Sequence, residues 1–469
     1  MLLDHDFVFS FYGDDFTGST DVMENLTING IRTALFLAPV TLEEVKKFRL
    51  KHSLDGTGAK DLQAFGIAGI SRSLRIAQMD AELPPIFEAI SKIPADFFQY
   101  KVCSTFDSSP DIGSIGHASD LAFRYFPCDW IPVLIGAPFI NRFCVFGNLF
   151  ARVDDVTYRL DRHPTMSKHP VTPMTESDLR RHLALQTKRP ARLLDLFALE
   201  ADDAQQQAAF ERLNTRQGEF ILFDTYNDEH LLRVGKLVVK NKSSKTQLIV
   251  SSSGANVAVA RYLQAVGKIA KPPAPTPPQK ETTILALSGS CSPQTGKQIE
   301  HVLSIGFEDM RIDTVKLIDP RHRDQEQTRL VEQATRALSS GRSVMLYSAK
   351  GPDDPAIMAT KQRLEELELE HASASQTLAS VKGRILRRIL DIVGKKRVVV
   401  CGGDTSGHVA RELGIYALET RMPIAPGAPL CTAHSKQPEF DGLEITLKGG
   451  QNGRQRYIES IMHGYNIDS

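Results

Sequence analysis

A ten-residue segment, KPPAPTPPQK (Lys271–Lys280), carries five prolines. Proline fixes φ and has no N–H, so neither a helix interior nor a central strand can run through it. The segment reads as an extended, semi-rigid linker. It cuts the 469 residues into 1–270 and 281–469, each long enough for a domain of its own.

Both parts alternate apolar runs with helical patterns. In the first, strands are expected at Phe7–Tyr12, Arg32–Leu37, Phe65–Ile70, Tyr100–Cys103, Phe220–Asp224 and Gln247–Ser253, with helices at Thr20–Asn29 and Asn256–Ala265. In the second, strands are expected at Thr283–Ser290, Ser343–Ala349 and Arg397–Gly403, with helices at Thr295–Ile305, Gln325–Ser339 and Leu378–Val393. Near-continuous apolar strands belong to parallel sheets covered on both faces. The expectation is therefore an α/β protein: two α/β domains with mainly parallel sheets, joined by the Pro-rich linker. The segment Asp154–Glu176, rich in His, Pro and Thr, reads as a long loop or an excursion between elements.

Composition narrows the function. Lys+Arg and Asp+Glu both number 56, a formal net charge of zero, which argues against a nucleic-acid binder. At 42% hydrophobic and 24% charged residues the chain has ordinary globular usage, not that of a disordered or fibrous protein. No apolar run reaches the eighteen residues of a membrane span, and MLLDHDFVFSF lacks the marks of a secretory signal. The six cysteines form no CxxC pair, which predicts reduced thiols rather than a zinc site or a disulfide framework. A cytoplasmic enzyme is the expectation.

Four stretches carry chemistry. GDDFTGSTD (Gly13–Asp21) follows the first strand, and ligands of open α/β sheets bind beyond strand carboxyl ends. Asp14 and Asp15 there can accept hydrogen bonds from a polyol, take a hydroxyl proton or hold magnesium; an Asx turn with a capping Asp uses the same residues. GGDTSGHVA (Gly402–Ala410) follows another strand, and its glycines lead into a helix N-terminus that can face an anion. LSGSCSPQTGKQI (Leu287–Ile299) repeats that design, and LKGGQNG (Leu447–Gly453) reads as a loop or hairpin tip. In the first part, Arg72 of SRS can fork onto a carboxylate or make a surface salt bridge. YKVCSTFDSSP (Tyr100–Pro110) offers Lys101 as an anion partner and Ser104, Thr105, Asp107 and Ser108 as polar groups at a strand end. Arg142 lies in GAPFINRFCVFGNLF, and the two His-Pro pairs of HPTMSKHPVTPM read as a cleft-lining loop without metal spacing.

GDDFTGSTD, YKVCSTFDS, HPVTPMTESDL, LSGSCSPQT, CGGDTSGHVA and PGAPLC with LKGGQNG follow one another across nearly the whole chain. In that order they resemble the four-carbon acid sugar kinase family. The resemblance implies a sugar-acid-binding domain at 1–270, a nucleotide-binding domain at 281–469 and an active site in the cleft between them. It implies phosphoryl transfer from ATP to a hydroxyl of a small sugar acid such as 3-oxo-tetronate, threonate or erythronate. KGGQ and GNLFAR resemble a separate branch of the family, which implies a substrate of the 3-oxo-isoapionate kind. Carried over by motif, Asp15, Arg72 and the CSTFDS residues are substrate contacts. The same resemblance implies that Ser288, Gly402, Gly403, Asp404, Thr405 and the glycine loop around Gly450 are nucleotide contacts. Two departures are LKGGQNG where typical members read closer to LKSGNFG, and a longer chain.

The leading expectation is a magnesium-dependent kinase in which Asp14 or Asp15 accepts the hydroxyl proton and Arg72 grips the carboxylate. No metal ligand set is assigned. Two alternatives stay open: an ATP-using reaction at the substrate carboxylate, and a non-catalytic protein that binds sugar acid and nucleotide. Uncharged strand edges are compatible with a homodimer.

Overall fold

A computed structural model describes residues 3–153, 155–243 and 245–468. The chain forms two compact units, one running up to Pro273 and one from Ala274, so the division falls inside the Pro-rich segment.

The first unit is built on eight parallel strands. In chain order these are β1 (Phe7–Gly13), β2 (Thr33–Phe36), β3 (Ala64–Ala68), β4 (Ala95–Lys101), β5 (Trp130–Leu134), β9 (Ala191–Leu194), β10 (Glu219–Phe223) and β11 (Gln247–Ser251), with β6 (Arg142–Val145), β7 (Asn148–Val153) and β8 (Val156–Arg159) forming a separate antiparallel sheet. The spatial order is β2-β3-β1-β4-β11-β5-β10-β9. All seven residues of β1 are buried, which is why the strand is apolar on both faces rather than alternating. Chain order reverses around β1: β2 and β3 lie to one side and β4 to the other. The carboxyl ends of β3, β1 and β4 therefore stand side by side at a switch point, where such sheets bind ligands.

The second unit orders its strands β13-β14-β12-β15-β18-β17-β16: β12 (Ile284–Ser288), β13 (Glu308–Arg311), β14 (Val344–Tyr347), β15 (Arg397–Cys401), β16 (Ile415–Ala425), β17 (Ala428–Ser435) and β18 (Glu444–Lys448). The pairs from β13 to β18 are parallel, and β17 joins β18 and β16 antiparallel. The core around β12 and β15 packs Ile284, Ala286, Val399 and Cys401 against Ile299, Val302, Ile458 and Ile461. Both units are thus α/β with mainly parallel sheets. Among the described residues no helix is long and apolar enough to cross a membrane.

Three expectations shift. The strand expected at Tyr100–Cys103 runs instead over Ala95–Lys101. The expected long loop from Asp154 contains strand β8 and two short 3-10 turns, Leu160–Arg162 and Met166–Lys168; Asp154 itself lies outside the described residues. Of the two readings of LKGGQNG, the loop holds and the hairpin tip does not: β18 pairs parallel to β15, and the loop after it turns toward Ser292 and Thr295.

Candidate functional site

In the first unit the sheet gathers the acid pair and its cations. Gly13 of β1 lies level with Ala68 of β3 and Lys101 of β4. The backbone then ties the loops together, Asp14 N–H to Lys101 carbonyl and Arg72 N–H to Asp14 carbonyl, both 2.9 Å. Asp15 caps the helix Phe16–Ile28, its Oδ1 accepting from Gly18 N–H at 2.6 Å. Arg72 forks onto Asp14, Nη2 to Oδ1 at 2.8 Å and Nε to Oδ2 at 3.3 Å, and reaches Asp15 Oδ2 with Nη1 at 2.7 Å. Lys101 is buried beside them; it donates to Val102 carbonyl at 2.9 Å and stands 3.5 Å from Asp21.

The two carboxylates differ. The Asp14 side chain is 3% exposed and that of Asp15 29%. Burial raises the Asp14 pKa above the usual carboxylate range, Asp15's charge adds to the rise, and Arg72 pulls against it. Asp14 is thus the buried partner and Asp15 the one within reach of a ligand.

The CSTFDS loop continues the site. Thr105 Oγ1 donates to Asp107 Oδ1 at 2.7 Å and contacts Cys103 Sγ at 3.0 Å, and burial pushes the Cys103 thiol up to about 11. Ser104 is half-buried. Ser108 Oγ meets His182 Nε2 at 2.9 Å, a ring that burial holds down at about 4. Arg142, on β6, faces Cys103 and Asp107 electrostatically. Its Nη1 donates to the carbonyls of Ile140 and Asn141, while its buried Nε has no partner among the described residues. Arg72, by contrast, already has its fork engaged.

In the second unit four strand ends line up. Ser288 lies level with Tyr347 and Cys401, and Cys401 with Lys448. Gly289 N–H donates to Cys401 carbonyl at 2.9 Å and Gly402 N–H to Lys448 carbonyl at 2.9 Å. Gly402 adopts φ +114°, a region closed to L side chains. Gly289 permits a close approach: a Cβ there would lie 2.0 Å from Thr405 Oγ1. Ser292 and Thr295 hold the carbonyl of Gly450, the latter at 2.7 Å. The helix Gly403–Glu412 starts at this junction, and a Cβ on Gly403 would meet nothing within 4 Å. No side chain caps this helix start, and an uncapped helix N-terminus can receive an anion.

A cavity of about 350 Å³ opens beside these turns, lined by Gly289, Cys291, Ser348, Lys382, Asp404 and Thr405 among others. Ser288 stands behind the surface, fully buried, its hydroxyl accepting from Ser290 N–H. Magnesium travelling with a nucleotide needs only one or two carboxylates besides the phosphates. Asp404, exposed on the cavity wall, fits that donor set. Lys382 and Ser348 were not singled out from the sequence. The signal for Lys382 was there: a lysine inside the apolar stripe of its helix.

Comparison with known proteins places both units. Residues 9–259 match a family described as a sugar-binding N-terminal domain, and residues 285–458 one described as a nucleotide-binding C-terminal domain. The chain is 42% identical over 457 residues to a Paraburkholderia graminis protein named 3-oxo-isoapionate kinase, covering 97% of this chain and 94% of that one. It is 28% identical over 461 residues to a Brucella melitensis protein named 3-oxo-tetronate kinase, covering 97% and 95%. Solved structures share the fold: a Salmonella typhimurium LT2 protein at TM-score 0.75 and 23% identity, covering 98% of both chains, and a Haemophilus influenzae protein at 0.70 and 24%, covering 96% of this chain and 98% of that one.

Proposed function

The chain belongs to the four-carbon acid sugar kinase family, and from that premise we propose that it transfers the terminal phosphoryl group of ATP to a hydroxyl of a branched 3-oxo sugar acid of the 3-oxo-isoapionate class. The observation that carries the substrate is the 42% identity, across nearly the whole chain, to a relative bearing that name, against 28% for a 3-oxo-tetronate kinase.

In this reading the substrate hydroxyl lies against Asp15, the more exposed of the two carboxylates. Its oxygen attacks the terminal phosphorus, the bond to the bridging oxygen of ADP breaks, and the hydroxyl proton passes to the Asp15 carboxylate. Asp14 and Arg72 hold Asp15 in place from behind. The substrate carboxylate goes to Arg142, whose Nε has a donor to give, with Lys101 as a second positive charge. Ser104, Thr105 and Asp107 supply polar contacts to the remaining oxygens. On the nucleotide side, the N–H groups that begin at Gly402 and Gly403, with Thr405 and the Gly450 loop, receive phosphate oxygens, and Ser288 supports the turn. Mg²⁺, when bound beside Asp404, neutralises charge on those oxygens.

The test is a steady-state comparison of ADP release with 3-oxo-isoapionate, 3-oxo-tetronate, threonate and erythronate. The reading expects the branched 3-oxo acid to have the highest kcat/KM. A higher value for any linear acid removes the substrate assignment and leaves the kinase.

A further inference from the structure

The helix His371–Val393 turns one face inward: Ala379, Ile385, Leu386 and Ile389 are at most 4% exposed. Lys382 occupies the same face and is 5% exposed. A lysine at such a position buries an ammonium where an aliphatic side chain is the norm. Its Nζ donates to Ser348 Oγ at 3.1 Å, at the end of β14. A Cβ built on Gly289, at the end of β12, would lie 3.3 Å from that Nζ and 2.0 Å from Thr405 Oγ1. The ammonium thus stands where three turns converge, and it lines the 350 Å³ cavity.

Among the described residues no carboxylate closes an ion pair with it. Burial holds the lysine down at about 8, and the Cys291 sulfur pulls the other way. A buried cation without a counter-ion is costly, and an anion entering the cavity removes that cost. Phosphate oxygens drawn to the N–H groups at the start of the helix Gly403–Glu412 arrive beside it.

Resting on the phosphotransfer reading above, we propose that Lys382 is the cation that receives the phosphate oxygens of the bound nucleotide. It acts as a point charge reached from the cavity floor, while the backbone turns supply directional donors.

The experiment is calorimetric titration of wild type and Lys382→Met with ATP, ADP and adenosine. Loss of a charge-assisted hydrogen bond corresponds to about 10- to 150-fold in affinity, so ATP and ADP binding should weaken by that range while adenosine binding stays within about two-fold. Unchanged ATP affinity, or an equal loss for adenosine, overturns the proposal. A wild type that binds none of the three contradicts the phosphotransfer reading and this proposal with it; a wild type that binds ATP and a variant that binds it equally contradict this proposal alone. Should Lys382→Met not fold, the wild-type protein carries the test: inorganic triphosphate should slow reductive methylation of Lys382, read by peptide mass spectrometry. Methylation at an unchanged rate overturns the proposal.

Discussion

Arg72 turns three N–H groups onto Asp14 and Asp15, an arrangement that a lysine cannot reproduce. Arg142 leaves its buried Nε without a partner among the described residues. The two arginines should therefore fail differently. Arg72→Lys should lower kcat about 10- to 100-fold with a smaller change in the KM of the sugar acid, because Asp15 loses its support. Arg142→Lys should raise that KM about 10-fold or more, from one charge-assisted hydrogen bond lost, while kcat stays near wild type. Initial-rate kinetics of both variants with ATP saturating distinguish them, and the opposite pattern would return the carboxylate to Arg72. The buried acid adds a pH signature. Burial raises the Asp14 pKa, so the Asp14 carboxylate's ion pair with Arg72 is lost, as pH falls, at a value above that of an ordinary carboxyl. The acid limb of kcat should then lie above the ordinary carboxylate range near 4, and Asp14→Asn should remove or move it. A pH–rate profile that stays flat down to pH 4 contradicts this role.

At the level of single elements, the turn after β15 makes the sharpest contrast. Gly402 sits at φ +114° with Ser290 N 3.3 Å from a would-be Cβ, whereas Gly403 faces open space. Gly402→Ala should cost about 1–3 kcal/mol of stability, the usual range for a residue forced into such backbone. Gly403→Val should fold normally and lose ATP affinity, since its side chain fills the space that phosphate needs. Thermal melts and ATP titration of the two variants check this. The glycine turns were legible because strand, glycines and helix follow one another locally. What escaped depended on distant partners. The amino-terminal half of β4 was hidden by Asp96 and Gln99, which are polar yet buried: Gln99 bonds Ser251 and Asn256, and Asp96 pairs with Lys242. The long β16–β17 hairpin was missed for a similar reason, since Glu419 and His434 meet inside it at 3.0 Å. Lys382 shows in the sequence as a charge in an apolar helix stripe, but its use appears only once β12, β14 and β15 are aligned. Arg72 was placed at the right strand end, but only the structure shows its fork already filled.

Over the whole chain, the five prolines of Lys271–Lys280 stand where one compact unit gives way to the next. The two units answer two demands of phosphoryl transfer. The first gathers a carboxylate pair with Arg72 and Lys101 at neighbouring strand ends, with Arg142 on β6 as a further cation, suited to an acidic polyol. The second gathers N–H-rich turns and a buried lysine, suited to polyphosphate. The central claim is that the phosphoryl group goes to a hydroxyl and not to the carboxylate. The most direct measurement is ³¹P NMR of the reaction of ATP with the branched 3-oxo acid, repeated after treatment with hydroxylamine. The account predicts one equivalent of ADP and a phosphomonoester resonance that survives the treatment. A product that hydroxylamine destroys, releasing inorganic phosphate and a hydroxamate, is an acyl phosphate and would contradict it.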